Sequence, residues 1–449
     1  MDFSRVFSAV DKHKDLILNA ERHIWKNPEV GYKEWKTSAY MEKEFEKLGY
    51  KLTRAGNIPG FYADADTGKP GPKILIFGEL DSLVCKDHPE ANPETGAVHA
   101  CGHNGQCAAL LGAAAALKEE GILDGLCGSI RLCAVPAEEG VDMAYRESLR
   151  KQGIIKYYSG KIEFLYRGFF DDVDMALMVH ITTKEKGFTY TRGSVGNVKK
   201  VIAFKGVAAH AGAHPYDGIN ALYAANLGLN AINALRETFK DEEHIRVHPI
   251  ITRGGETANA IPADVTLECY VRGLSNDVIF SVNNKVNRAL AGAALSMGGN
   301  VLISDRHGAS PLVNDMNLMK VAETVMKEIV DSEEDIEFID EIRAGCTDMG
   351  DISAVMPAIH PYIGGAEGRT HGNNYFIVNP VEACVNSAKM IMGTIQLLLS
   401  NNAEKAKEVL AKKNLRYSSY EEYFKDIDRL MSDKEMLTYN EDGSVHVKA

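Results

Sequence analysis

Three short apolar runs constrain this chain most. Each is bounded by helical patterns, and each leads into a group that carries chemistry. Lys73-Ile-Leu-Ile-Phe77, Ser129-Ile-Arg-Leu-Cys-Ala134 and Met175-Ala-Leu-Met-Val179 are nearly continuous in apolar residues, without the alternation of a strand wetted on one face. Such runs read as strands buried on both faces, with helices covering the sheet. The expectation is therefore an α/β layer. The first run ends at Gly78-Glu79-Leu80-Asp81, the second leads to Pro136-Ala-Glu138-Glu139-Gly140, and the third ends at His180. Ligands of open α/β sheets bind beyond the carboxyl ends of the strands, so these three ends point to one site.

Helical spacing marks segments 10–26, 38–48 and 106–119. The pattern changes near Gly196. Strand 198–204, helix 218–235, strands 248–253 and 265–272, helix 276–297 and strand 300–304 follow one another. That β-α-β-β-α-β order is the split ferredoxin-like unit, here an insert of about 110 residues. A chain of 449 residues is too long for one ordinary core. The expected division is 1–195, an inserted domain 196–305, and 306–449. The last part returns to α/β with helices at 314–330 and 380–399, then a charged helical tail bearing Tyr417, Tyr420, Tyr423 and Phe424.

A net charge of −12 with no long basic run argues against a general nucleic-acid binder. No apolar window approaches the roughly 20 residues of a membrane span. The opening Met1-Asp2-Phe3-Ser4-Arg5 lacks the pattern of a secretory leader. Eight scattered cysteines do not form a disulfide framework. A reducing cytoplasm is the expected location, and it keeps Cys101 available as a thiolate.

His99-Ala-Cys101-Gly-His103-Asn104 places a thiol and two imidazoles within five positions. Cys101 and His103 project to the same side of an extended segment. Thiolate and imidazole suit zinc-like metals, and imidazole also suits manganese and cobalt. A loop with a buried cysteine and polar histidines is the plainer alternative. Glu138 and Glu139 are adjacent and project differently, so one can bind a metal while the other serves the reacting water as base. A solvated acidic turn would look the same. His180 fits a ligand or a strand cap, and His371, in Arg369-Thr-His-Gly-Asn-Asn374, stays open on local sequence. In the insert, Ala209-His210-Ala-Gly-Ala-His-Pro215 and the loop Gly255 to Pro262, which holds Asn259, are either ligand loops or ordinary turns.

Taken in order, these motifs resemble the metal-dependent aminoacylase and carboxypeptidase superfamily. They are most similar to its amidohydrolase branch of hippurate, indole-acetyl-amino-acid and aminobenzoyl-glutamate hydrolases, over residues 10–400. The resemblance implies a mixed-sheet metallopeptidase domain with an inserted ferredoxin-like dimerisation, or lid, domain. It implies two divalent ions, manganese or zinc with cobalt a third candidate, held by Cys101, His103, Glu139, His180 and His371. Glu138 is then the general base and Asp81 orients a site group. His210 and Asn259 bind the oxyanion or the substrate carboxylate, across a homodimer. The implied reaction is hydrolysis of an N-acyl or N-aroyl amino acid by a metal-activated water, with no nucleic acid or membrane partner. A dipeptidase or carboxypeptidase on the same scaffold is the nearest alternative, and a non-catalytic amino-acid-binding protein the more distant one. Thr347 to Asp351 and Pro357 are similar to the aminobenzoyl-glutamate type. The branch usually has Asp-Gly-His where this chain has Asn104-Gly-Gln106, which removes a charge. Loop 87–98 and the insertion 157–170 are candidates for specificity.

Overall fold

The three buried runs become neighbours in one six-stranded mixed sheet. Its order is Thr53–Arg54, Phe61–Asp66, Ser129–Val135, Lys73–Glu79, Met175–Leu177, Ala358–Ile359. Lys73–Glu79 runs parallel to both Ser129–Val135 and Met175–Leu177, while Phe61–Asp66 is antiparallel to Ser129–Val135. The register sets Glu79 beside Val135, so the chain segments that follow both strands leave the sheet at the same end. This is a computed structural model, and it describes residues 2–448.

The sheet lies in the first of two units, built from Met1–Gly193, Val313–Ile342 and Asp351–Arg416. The helix His103–Ala116 packs on Lys73–Glu79 and against helices Lys14–Trp25 and Ser387–Ala411. Every residue of it is buried, which explains why it is Ala-rich all round rather than amphipathic.

Local structure departs from the sequence expectation at several points. The helix expected over 10–26 is two, Ser4–Lys12 and Lys14–Trp25, broken at His13. The helix expected from 106 begins at His103, because Gly102 adopts φ +88° and turns the chain directly into it. The third strand stops at Leu177, and His180–Ile181 pairs in parallel with Tyr362–Ile363 in a separate small sheet. His180 thus opens a new strand instead of ending the third. The helix near 380 begins as a π-helical turn, Val381–Asn386, and Ser387–Ala411 leaves helical geometry at Ser400 to Ala403.

The second unit comprises Ser194–Leu312, Arg343–Gly350 and the chain from Tyr417 onward. Its antiparallel sheet has the order Arg246–Arg253, Asp264–Gly273, Gly196–Lys205, Asn300–Ala309, Ser432–Glu435. Helices Ala221–Ala234 and Asn276–Ser296 pack against each other and on this sheet. Buried Lys200 binds Asn283, Asn287 and Asp305, pinning Asn276–Ser296 to two strands. The segment runs to Leu312 rather than 305 because Asn300–Ala309 pairs with Gly196–Lys205 along its whole length.

The tail also differs from its expected helical form and from its expected place with residues 306–416. After helix Tyr420–Asp428 it forms strands, and Ser432–Glu435 pairs with Asn300–Ala309. Leu430, Met436 and Leu437 are buried in the second unit's core. The physical cause is the outer edge of Asn300–Ala309, whose unpaired backbone groups the tail satisfies.

Candidate metal centre

Beyond the carboxyl end of Lys73–Glu79, buried Asp81 ties two segments together. Its Oδ1 lies 3.2 Å from His103 Nδ1, and its Oδ2 accepts the Glu139 backbone N–H at 2.8 Å. The Asp81 carbonyl accepts from the same Nδ1 at 2.9 Å. With its proton on Nδ1, the neutral His103 ring presents Nε2 as a lone pair. His180 is oriented in the same way. Its Nδ1–H donates to the Ile181 carbonyl at 2.8 Å, and Nε2 lies 3.5 Å from Cys101 Sγ. Gly102 is required between Cys101 and His103. Its φ is left-handed, and a Cβ there would stand 2.6 Å from the Tyr375 hydroxyl.

The Glu138-Glu139 turn is braced from three sides. Ala137 adopts φ +60° and donates its N–H to the Glu34 carboxylate at 2.8 Å. Fully buried Arg146 donates to the carbonyls of Tyr158 at 2.6 Å, of Ala137 at 3.3 Å, and of Glu139. His371 adopts φ +65°, donates its N–H to the Ala100 carbonyl at 2.8 Å, and sets Nε2 3.0 Å from Glu139 Oε1. A non-glycine residue in this region costs about 1–3 kcal/mol and persists where its surroundings over-determine it. Two such residues flank this cluster.

The donor atoms form two overlapping triads. Cys101, His103 and His180 make one, and Cys101, Glu139 and His371 the other, each with its atoms within 4.8 Å of one another. His103, Glu138 and Glu139 converge to the same degree. Among the described residues His103 Nε2 is buried without a hydrogen-bond partner, and Glu139 Oε1 is buried with only the His371 ring nitrogen close to it. A thiol, three imidazoles and a carboxylate, with the His103 donor atom orphaned, fit divalent ions.

Burial would lower His103, but the charges of Glu79 and Cys101 and the hydrogen bond to Asp81 raise it well above its usual range. Burial, with Glu139 nearby, pushes the Cys101 thiol well above its usual range. Burial also pulls His180 down to about 4, so its imidazole is neutral. Burial alone would raise Glu139, but the hydrogen bond and charge of His371 hold it at about 2. Ligands must shed their protons to bind a metal, and a bound cation reverses the cost of a buried thiolate.

His210 and Asn259 lie in the second unit, on loops joined by the Ala211 N–H to the Asn259 carbonyl at 2.9 Å. His210 Nδ1 accepts the N–H groups of Gly212 and Ala213 at 3.1 and 3.0 Å. In the neutral ring the proton therefore sits on Nε2, which makes exposed His210 a donor.

The sequence pattern assigns no role to four residues near the centre: Glu79, Lys161, Arg146 and His360. Glu79 stands at an expected strand end, a position that marks it without giving it a role. Lys161 comes from the helix Gly160–Tyr166, inside the insertion suspected of setting specificity. Buried His360 follows the short strand Ala358–Ile359, and its ring lies 5.5 Å from that of His180. Nothing in the local pattern marks Arg146 or His360.

Asn104 has a local explanation. Its Nδ2 donates to Glu21 Oε1 at 2.7 Å, and both side chains are buried. The branch's usual Asp would set a second carboxylate against Glu21, which burial already pushes up. Asn104→Asp is expected to lower stability by about 1–3 kcal/mol, read from urea unfolding at neutral pH. An unchanged midpoint would show that Glu21 finds another donor.

The profile of peptidase family M20/M25/M40 matches residues 75–397. The chain belongs to this family and is a hydrolase of amide or peptide bonds. Over 278 residues it is 32% identical to one of the chains that make up the p-aminobenzoyl-glutamate hydrolase of Escherichia coli (strain K12), and the match spans 58% of this chain and 59% of that one. Over 392 residues it is 28% identical to the Xaa-Arg dipeptidase of Homo sapiens, covering 83% and 82%. Its fold matches a Bacillus subtilis structure described as a dinuclear metal binding peptidase of the M20 family. There the TM-score is 0.60 and the identity 19%, over 87% of this chain and 99% of that one. Among the described residues no helix is long and apolar enough to cross a membrane.

Proposed function

We propose that this chain hydrolyses the amide bond of N-acyl or N-aroyl amino acids, releasing the free amino acid. The observation that carries this reading is the pair of donor triads sharing Cys101 beside a second carboxylate, Glu138. Cys101, His103 and His180 would hold one divalent ion, and Cys101, Glu139 and His371 the other. Such ions, when bound, polarise the scissile carbonyl and lower the pKa of water. Glu138 accepts the proton of the attacking water and returns it to the leaving amine as the C–N bond breaks. Asp81 keeps the His103 ring and the Glu139 backbone in place. Across a homodimer, His210, with its proton on Nε2, and Asn259 donate to the carbonyl oxygen or to the substrate carboxylate. The second unit serves as the dimerisation surface.

A dipeptidase reading is favoured by the likeness to the Xaa-Arg dipeptidase, which spans most of both chains. The two readings separate in one experiment. Amino-acid release is measured from N-acyl and N-aroyl amino acids, aminobenzoyl-glutamate included, beside free dipeptides, with protein loaded with manganese, zinc or cobalt. Metal-dependent release from the acylated panel, at least tenfold above the dipeptides in kcat/KM, is the expected result, a difference of about 1.4 kcal/mol. Preference for free dipeptides would replace the first reading by the second.

A further inference from the structure

We propose that Glu79 is a further donor to the metal centre, on the His103 side, and that Lys161 positions it. This inference depends on the metal-site reading above. Glu79 and Lys161 are both fully buried and form an ion pair through Glu79 Oε1. The Glu79 backbone is fixed as well, its N–H donating to Gln106 Oε1 at 3.3 Å. A carboxylate serving only as a structural counter-ion would have both oxygens satisfied. Among the described residues Oε2 is buried without a hydrogen-bond partner and lies 3.1 Å from His103 Nε2, which is buried in the same condition.

The tautomer of His103 gives this contact its meaning. Nδ1–H is taken by Asp81, so a neutral His103 ring turns a lone pair toward a carboxylate oxygen. Two acceptors at that distance repel one another. Either a second proton on the ring or a cation bound by both relieves the repulsion. Neighbouring donors on one ion, each bonded at about 2.0–2.2 Å, stand about 3 Å apart, the separation of these two atoms. A cation held here would also offset the negative charge that surrounds the ring. Glu79 lies within 4.8 Å of Glu138, and Glu138 lies equally near His103 and Glu139, so three carboxylates crowd one imidazole. Lys161 neutralises part of that charge and, by engaging Oε1, aims Oε2 at His103.

The test reads metal binding directly. Full-length protein is stripped, titrated with manganese or zinc, and its bound ions counted by elemental analysis after gel filtration, with affinities from calorimetry. Cobalt provides a visible spectrum that reports coordination. The variants are Glu79→Gln and the double variant Glu79→Gln with Lys161→Met, which removes the pair without leaving a lone buried charge. The expected result is two ions in the wild type. Both variants should keep one ion at wild-type affinity, bind the other roughly 10- to 100-fold more weakly, and show an altered spectrum for one cobalt equivalent only. Two ions at unchanged affinity in the folded double variant would overturn the role of Glu79. Wild-type protein that binds no metal would overturn the underlying metal-site reading instead, so the two failures are distinguishable.

Discussion

Replacing Glu138 by Gln is expected to lower turnover by roughly 10²- to 10⁴-fold while both metal ions stay bound. The two adjacent glutamates are separated by their surroundings. Glu139 is locked: its N–H goes to Asp81, its carbonyl receives Arg146, and its Oε1 faces His371. Glu138 is only half-buried and belongs to neither triad that shares Cys101. A group meant to exchange protons needs access to water, and a group meant to hold a metal needs rigidity, so the roles divide as proposed. Gln keeps the size and polarity of the side chain and loses the ability to take a proton. The loss should therefore fall on kcat and leave KM nearly unchanged. The check is steady-state kinetics with elemental analysis of the same samples. Turnover like that of the wild type would sink the base assignment, and loss of an ion together with activity would move Glu138 into the ligand set.

Much of this centre was legible in the sequence because its parts lie where buried parallel strands end. Glu79-Leu-Asp81 and Glu138-Glu139 follow adjacent strands in register, and hydrophobic continuity alone locates those ends. Cys101 and His103 were legible through spacing and residue type. What escaped depends on packing between segments far apart in the chain. Lys161 reaches Glu79 across 82 positions, and no periodic signal connects them. Arg146 acts through backbone carbonyls, which any sequence offers. His360 follows a strand of two residues, too short to produce a pattern. The tail reads as helical in sequence yet adds a strand, because strand addition is decided by the edge it joins, not by its own composition. His13 splits a helix that apolar spacing alone makes continuous.

The largest effect on metal binding is expected from Cys101→Ala. Its Sγ is the one donor common to both triads, whereas His103 and His180 belong to one of them and Glu139 and His371 to the other. Loss of the thiol should thus weaken both ions together, and His180→Ala and His371→Ala should each weaken a different one. Thermal unfolding offers a second readout, because an ion that binds only the folded state stabilises it by mass action. With metal at a hundredfold above its Kd, each ion contributes about 2.7 kcal/mol. The wild type should gain that amount for both ions on metal addition, and each histidine variant for one. Cys101→Ala should gain almost nothing, although it remains folded, since shortening a buried CH2SH side chain to CH3 removes little apolar surface. Calorimetric titration of the four proteins with the same metal checks the pattern. Should Cys101→Ala retain one ion at wild-type affinity, the thiol serves a single ion, and the two triads must be completed by different donors, with Glu79 the first to examine.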